Sequence, residues 1–424
     1  MKSQNWLIRM RVCVLTLLIY VIIPNIPSVN SITPPGRYSH NANLINSKIY
    51  FLGGVDERDK LLDDFFFLDV SGGTNFDDFS FQNFLVDMEN PGISWGTTVT
   101  AQESIIYLYG GLKTNSNGDW QLANHSYSID VINSALWTEK EIPLDSGPKG
   151  RRSMTSIVDK AGIIYVFGGS NQTIDGETRG NYDTTMYKLN SVTGLWSQAP
   201  LRTLGIDNTT LPGFDYSATM LGDGKIIYIG GQLANGVYLD MNKVWSYNTL
   251  NDQWTLNQVG GEEISSRAAH SAVLALAILD TTTWTWSKPL ITNPSMTRHA
   301  HTATLYKNYM IVAFGAHQQN LDSVIISNNF ISILDTSNGT FKWVPSLYQS
   351  TGPNNSTSNN VTSASTNNSN ERLGIIVGAS AAGFVGFSIL VASCVLLYRH
   401  LDQKRQLNKA MIEGHSGMTE VVRV

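Results

Sequence analysis

The chain has 424 residues, of which 42% are hydrophobic and 15% charged, with a formal net charge of −5. That size allows one large domain with appendages, and the slightly acidic balance without a basic block gives no reason to expect nucleic acid. Only two cysteines occur, Cys13 and Cys394, both in apolar terminal segments, which excludes an internal disulfide framework and a thiolate metal site from everything between them.

At the N-terminus, Lys2, Arg9 and Arg11 precede an apolar run over 12–23, then Pro24 and a small-residue stretch to Ser31. This layout predicts a secretory signal over 1–31, with an uncleaved signal anchor as the alternative.

The body of the chain, 32–347, is organised by repeats. The run Ile163-Ile164-Tyr165-Val166-Phe167 stops on Gly168-Gly169, and similar runs stop on Gly53-Gly54, Gly110-Gly111 and Gly230-Gly231, with a weaker one at Gly315-Ala316. Such a run reads as a strand entering a turn that needs positive φ or a close neighbour. A late aromatic follows each pair at a nearly constant offset: Phe81, Trp137, Trp196, Trp254 and Trp343. Between these landmarks a hydrophobic strand ends in Asp69, Asp130, Asn190, Asn248 or Asp335. A strand start at Arg37-Tyr38-Ser39-His40 recurs as Arg267-Ala268-Ala269-His270 and Arg298-His299-Ala300-His301. Each unit therefore holds about four short strands, which in unit one fall near 38–45, 48–52, 65–70 and 79–85.

These landmarks, in this order, resemble kelch repeats. The resemblance implies an all-β fold, a kelch-type β-propeller of six units, in which no blade buries its faces alone. It also implies a binding platform in most cases and a galactose-oxidase-like enzyme in a minority.

In a meander the turns alternate between the two faces of the disc. The first-to-second and third-to-fourth turns are short here, as at Asn46-Ser47 and Gly222-Asp223-Gly224. The other face receives long connections, such as 112–126, 170–183 and 200–215, and is the candidate binding surface. Sequons at Asn124, Asn171 and Asn208 fall on that face over units two to four. Glycans there would leave units one and six open, where the charged loop Asp56-Glu57-Arg58-Asp59-Lys60 and the His317-Gln318 segment are the candidate contact residues. A solvated loop is the plainer reading of both.

Unit five is short. His270 and Trp286 lie 16 residues apart, against 41 for His40 and Phe81, so about 26 residues are missing at Ala275-Leu276. They would hold the second strand, its glycine pair and the long loop, and a truncated fifth blade is expected.

The fourth sequon of the repeats, Asn338, precedes four more at Asn354, Asn355, Asn360 and Asn367 in a Ser/Thr/Asn-rich segment, 348–372, that reads as a disordered, glycosylated stalk. Residues 373–398 then run without a charge and are followed by Arg399, Lys404, Arg405 and Lys409. This predicts one C-terminal transmembrane helix with a cytoplasmic tail over 399–424, and a type I topology. Gly374, Gly378, Ala382 and Gly386, spaced by four, form a stripe suited to helix pairing in a homodimer; background membrane composition explains it equally.

The galactose-oxidase-like enzymes use a copper site with a Tyr cross-linked to Cys, and a repeat domain without Cys cannot assemble it. His40, His270 and His301 share one repeat position, which packing explains better than metal ligation. No cofactor is expected and no catalytic residue is singled out. The expected function is a cell-surface or endomembrane binding protein that presents the propeller on a stalk. A structural component of a wall or membrane assembly, or an enzyme with an unrecognised site, are the alternatives.

Overall fold

The computed structural model describes residues 31–344, except 73–78, 87–89, 144–145, 174–182, 200–201, 204–210, 234–235, 270–276, 293–297, 321–322, 327–330 and 338–340. The chain divides into two units, Met1–Gly352 and Pro353–Val424, and every described residue belongs to the first. The apolar N-terminal run, the stalk, the expected span and the tail lie outside the described residues, as do Asn208, Asn338 and the four stalk sequons.

Six of the sheets formed by the described strands are radial blades, and two more are two-stranded hairpins. Blade one runs outward as Asn41–Ile45, Lys48–Leu52, Phe65–Asp69 and Phe81–Asn83, close to the expected spans, with Ser31–Ile32 added antiparallel at its outer edge. Blade two uses Thr97–Ala101, Ile105–Tyr109, His125–Asp130 and Trp137–Glu141 in the same order. Blades three, four and six repeat it. In blades four and six the incoming connection adds a short parallel strand, Arg202–Thr203 and Ile291–Thr292, so these edges carry a fifth strand that the repeat pattern does not signal.

Alternation explains the packing. The second strands, IYFL, IYLY, IYV and IIYI, are apolar on both sides because each sheet is covered by a neighbour on both faces. The late aromatics of blades one to five pack on the blade before them. Trp137 lies 5.7 Å from Phe65, Trp196 5.8 Å from Tyr109 and Trp254 4.5 Å from Phe167, while Phe81 meets Phe314 of blade six at 5.6 Å and so closes the ring.

A second tie closes the third-to-fourth hairpins. In every blade the last residue of the third strand turns its side-chain oxygen back to the N–H two residues on: Asp69 to Ser71, Asp130 to Ile132, Asn190 to Val192, Asn248 to Leu250, Asp280 to Thr282 and Asp335 to Ser337. An Asx turn needs only a short side chain with an acceptor, hence Asp or Asn at this place. Asp280 is the member that belongs to unit five.

Blade five is the small one, as the spacing requires. Its described strands are the hairpin Ile278–Asp280 and Thr285–Ser287, with Gly260–Gly261 parallel on the outside. Trp286 is buried against Ile227, Met241 and Val244 of blade four, and its Nε1 donates to the Met241 carbonyl at 2.7 Å. That side of the blade is therefore covered. On the other side Trp343 is buried with Val312 and Leu334 of its own blade, and its Nε1 has no hydrogen-bond partner.

One expected landmark is corrected by a residue. Gly315 has φ +91 and lies against His301, just as Gly54, at φ +92, lies against His40, so the pair in blade six is Phe314-Gly315 and not Gly315-Ala316. Phe314 holds the left-handed conformation at φ 55, and its ring fills the core among Phe51, Phe66 and Phe81.

Candidate ligand-binding face

Each described first strand is preceded by one residue with positive φ, Ser39, Trp95, Ser153, Asp215 or Ala300, and Ala269 holds the matching place in unit five, all at 49° to 61°. These six residues hydrogen-bond in a closed circle. Ser39 N–H donates to Ala300 O at 2.8 Å, Ala300 to Ala269 at 3.3 Å, Ala269 to Asp215 at 2.9 Å, Asp215 to Ser153 at 2.8 Å, Ser153 to Trp95 at 2.8 Å, and Trp95 to Ser39 at 3.0 Å. The collar includes blade five, so the ring closes despite the missing strand.

A wider circle runs outside it. The second glycine of each pair donates its N–H to the next blade: Gly54 to Ile93 O, Gly111 to Arg151 O, Gly169 to Gly213 O, Gly231 to Arg267 O, and Gly315 to Arg37 O. Unit five lacks a glycine pair, and among the described residues blade five has no such donor. Arg37 is fully buried; its guanidinium donates to Gly53 O at 2.9 Å and grips Asp64 with both ends at 2.6 and 2.5 Å. Arg298 repeats the contact with Phe314 O at 3.2 Å, and burial pushes its pKa down to about 9. These circles sit where the first strands begin and the second strands end, which is the face of the long connections.

The collar fixes what surrounds the mouth. Tyr38 stands edge-on to Trp95 at 5.7 Å, and Trp95 edge-on to Trp120 at 6.2 Å. The Arg152 guanidinium lies 6.0 Å from the Trp95 ring centre, with its Nε donating to Gln172 O at 2.8 Å. Beside it Asp215 accepts from Gln232 Nε2 at 3.2 Å. Burial raises the Asp215 carboxyl pKa, and Ser153, Arg152 and Gln232 oppose that rise. Aromatic walls, one guanidinium and one desolvated carboxyl thus share a rim whose backbone is held by hydrogen bonds on every side.

Inside the ring the first strands enclose a cavity of about 390 Å³ lined by hydroxyls of Ser39, Ser153, Thr155, Ser217, Thr302 and Thr304. His40 is buried there with its Nε2 2.9 Å from Thr302 Oγ1 and its ring on Phe314 at 5.2 Å. Desolvation, helped by Arg37 and His301, pushes its pKa well down, so the ring is neutral. His40 is thus a packing residue, and His301 takes the matching place against Gly315. His270 lies outside the described residues. Among the described residues no three His, Cys, Asp or Glu come together as a metal site.

The sequence-predicted contact residues take separate roles. In the loop 56–60, Asp56 Oδ1 accepts from Arg58 and Lys60 N–H, which makes it a turn residue; Asp59 accepts from the Tyr38 hydroxyl at the mouth; Glu57, Arg58 and Lys60 are exposed. His317 and Gln318 lie on the strand Ala316–Asn320, paired with Ser323–Ile326. The long connection of blade two is ordered too, as a hairpin of Leu112–Thr114 and Trp120–Leu122, and this is what brings Trp120 to Trp95. Asn124 and Asn171 are exposed on the same face, with Asn124 Oδ1 accepting from Gly150 N–H. Sequence reasoning missed Tyr38, Trp95, Trp120, Arg152 and Asp215. Aligning the residue two places after Arg37 in every unit would have picked out Trp95 and Asp215.

Comparison with known proteins agrees with this architecture. Residues 24–204 match the model of the KLHDC2/KLHL20/DRC7 Kelch-repeats domain. Over 254 residues the chain is 24% identical to an N-(sulfonatooxy)prop-2-enimidothioate sulfolyase of Thlaspi arvense, covering 57% of this chain and 68% of the relative. It is 25% identical over 224 residues to Tip elongation aberrant protein 3 of Schizosaccharomyces pombe, covering 51% of this chain and 18% of that one. Among solved structures, YjhT superposes with a TM-score of 0.55 at 15% identity, over 75% of this chain and all of the other. The chain is an all-β, six-bladed propeller built from kelch repeats.

Proposed function

We propose that this protein is a binding module that takes a protein or glycan partner on the long-connection face, at the mouth framed by Tyr38, Trp95, Trp120 and Arg152. The observation that carries this reading is the collar. It immobilises Trp95 through both its N–H and its carbonyl, so aromatic surface and a guanidinium are presented with little entropy left to lose on binding. The match of residues 24–204 to a kelch-repeats model supports an interaction scaffold. The test is binding of the full-length protein to arrayed glycans and to surface proteins of its own cells. Trp95→Ala and Arg152→Ala should each weaken capture about tenfold or more, the usual loss at a hot spot, while Glu57→Ala should change it little. Equal capture by all three variants would move the site elsewhere.

The module is proposed to stand outside the cell or in a secretory compartment, on the glycosylated 348–372 stalk above a single span at 373–398, with the stripe from Gly374 to Gly386 as a helix-pairing face. The basic flank after Tyr398 and the sequons support this. Treating membrane-extracted protein with an N-glycosidase should increase its gel mobility; unchanged mobility would count against it.

The sulfolyase relative and the raised Asp215 carboxyl favour a second reading, an enzyme acting at the same mouth. Turnover lost in Asp215→Asn with partner capture intact would establish it.

A further inference from the structure

The opposite face carries a feature that the mouth does not explain. Of the exposed large hydrophobic side chains, Ile132, Leu136, Val192, Leu195 and Leu250 all sit on third-to-fourth hairpins of three successive blades, two, three and four, at 43% to 85% exposure. The Asx turns at Asp130, Asn190 and Asn248 hold these tips in shape, so the aliphatic groups are displayed by rigid turns. Neighbouring blades brace the middle tip. Tyr107 Oη and Gln102 Nε2 of blade two both donate to Ser191 O of blade three at 2.8 and 2.9 Å, and Lys188 of blade three meets Asp252 of blade four at 2.5 Å. Five such side chains expose on the order of 500 Å² of apolar surface, at the upper end of what a monomer usually shows and a large part of the ~800 Å² per partner of a standard interface.

We propose that this arc is the contact face of a homodimer, with the occupant a second copy of this chain. The charges around the patch decide for a second copy. An anionic bilayer would call for a basic fringe, whereas the turns here carry both signs: Glu103 on blade two, Asp159-Lys160 on blade three and Asp223-Lys225 on blade four. A two-fold axis lying along blade three in the plane of the face brings blade two of one copy over blade four of the other. Glu103 then faces the turn that carries the Asp223–Lys225 pair, whose charged groups lie 2.6 Å apart, and Asp159-Lys160 faces its own copy. An isologous contact needs such self-complementarity. The described sequons of this sector, Asn124 and Asn171, lie on the other face and leave the arc clear. Aliphatic tips without aromatic anchors also suit a homodimer seam better than a hot-spot pocket.

The test uses the full-length chain in detergent micelles, with Gly378→Leu introduced to remove pairing through the span, and measures mass by sedimentation across micromolar concentrations. The Gly378→Leu chain should sediment as a concentration-dependent dimer. Adding Leu195→Asp and Leu250→Asp, both at exposed tips, should raise its dissociation constant at least tenfold without changing the melting temperature. A monomeric Gly378→Leu chain overturns the proposal, as does a dimer indifferent to the two aspartates.

Discussion

Gly111→Val is expected to leave the propeller largely unfolded, or to cost on the order of 5 kcal/mol where a folded fraction survives, a large share of the ~5–15 kcal/mol that a domain has in total. A Cβ at Gly111 would stand 2.5 Å from Ile93 Cγ2, 2.6 Å from Ser94 O and 2.7 Å from Gly96 N, and two of these three atoms are backbone. The residue also has φ +92, which an L side chain adopts only at a strain of ~1–3 kcal/mol. Relief by movement would pull Gly111 N–H from Arg151 O and break the tie between blades two and three. Gly118 provides the control. It has φ +88 with nothing within 4 Å of its would-be Cβ, so Gly118→Val carries the strain without the clash. Urea unfolding of both variants separates the two terms. Equal losses would mean that backbone conformation alone, and not the inter-blade approach, explains the glycine pairs.

That distinction also shows why part of this molecule is readable from its sequence and part is not. The glycine pairs and late aromatics are legible because a steric limit or a large buried ring admits few residue types, so the repeats and the blade count follow from their spacing. Phe314 marks the limit of that logic. The first position of the pair needs positive φ but in blade six has room for a side chain, while the second, Gly315, meets His301 Cβ at 2.6 Å and admits none. Searching for two glycines therefore shifted that landmark by one residue. The collar is harder to see, since its six members share a backbone conformation and no side-chain chemistry: Ser, Trp, Ser, Asp, Ala and Ala. The mouth is less legible still. Tyr38, Trp95, Trp120 and Arg152 come from three units and meet only because the ring closes. The loop 56–60 stands out in the sequence by its charge, yet Asp56 mainly caps its own turn, and it is Asp59, through Tyr38, that reaches the mouth.

Restoring a second strand and its glycine pair to blade five is expected to stabilise the propeller by several kcal/mol. The two tryptophans flanking the gap give the reason. Trp286 Nε1 bonds Met241 O, which lies just before the third strand of the preceding blade. Trp343 occupies the same place one blade on, and the residues that would hold its acceptor are those missing between Ala275 and Leu276, so its Nε1 is buried without a partner. An unpaired buried donor costs ~1–3 kcal/mol. The absent strand would add its own pairing with Ile278–Asp280 and would cover Val312 and Leu334 from the blade-five side. A graft of blade-four residues 222–242 between Ala275 and Leu276 supplies strand, glycine pair and loop in one piece. It should raise the melting temperature by several degrees, since ~1 kcal/mol is worth about 2–4 °C in a domain of 150–250 residues and less in a larger one. The same reasoning applies to the gene. Transcripts sequenced across Ala275-Leu276 should include a form with about 26 further residues carrying an apolar strand and a glycine pair, the content of every complete unit. A graft that leaves the melting temperature unchanged, together with a confirmed junction in every transcript, would show that the ring closes fully on the collar and on Trp286, and that the shortened fifth blade is the native arrangement.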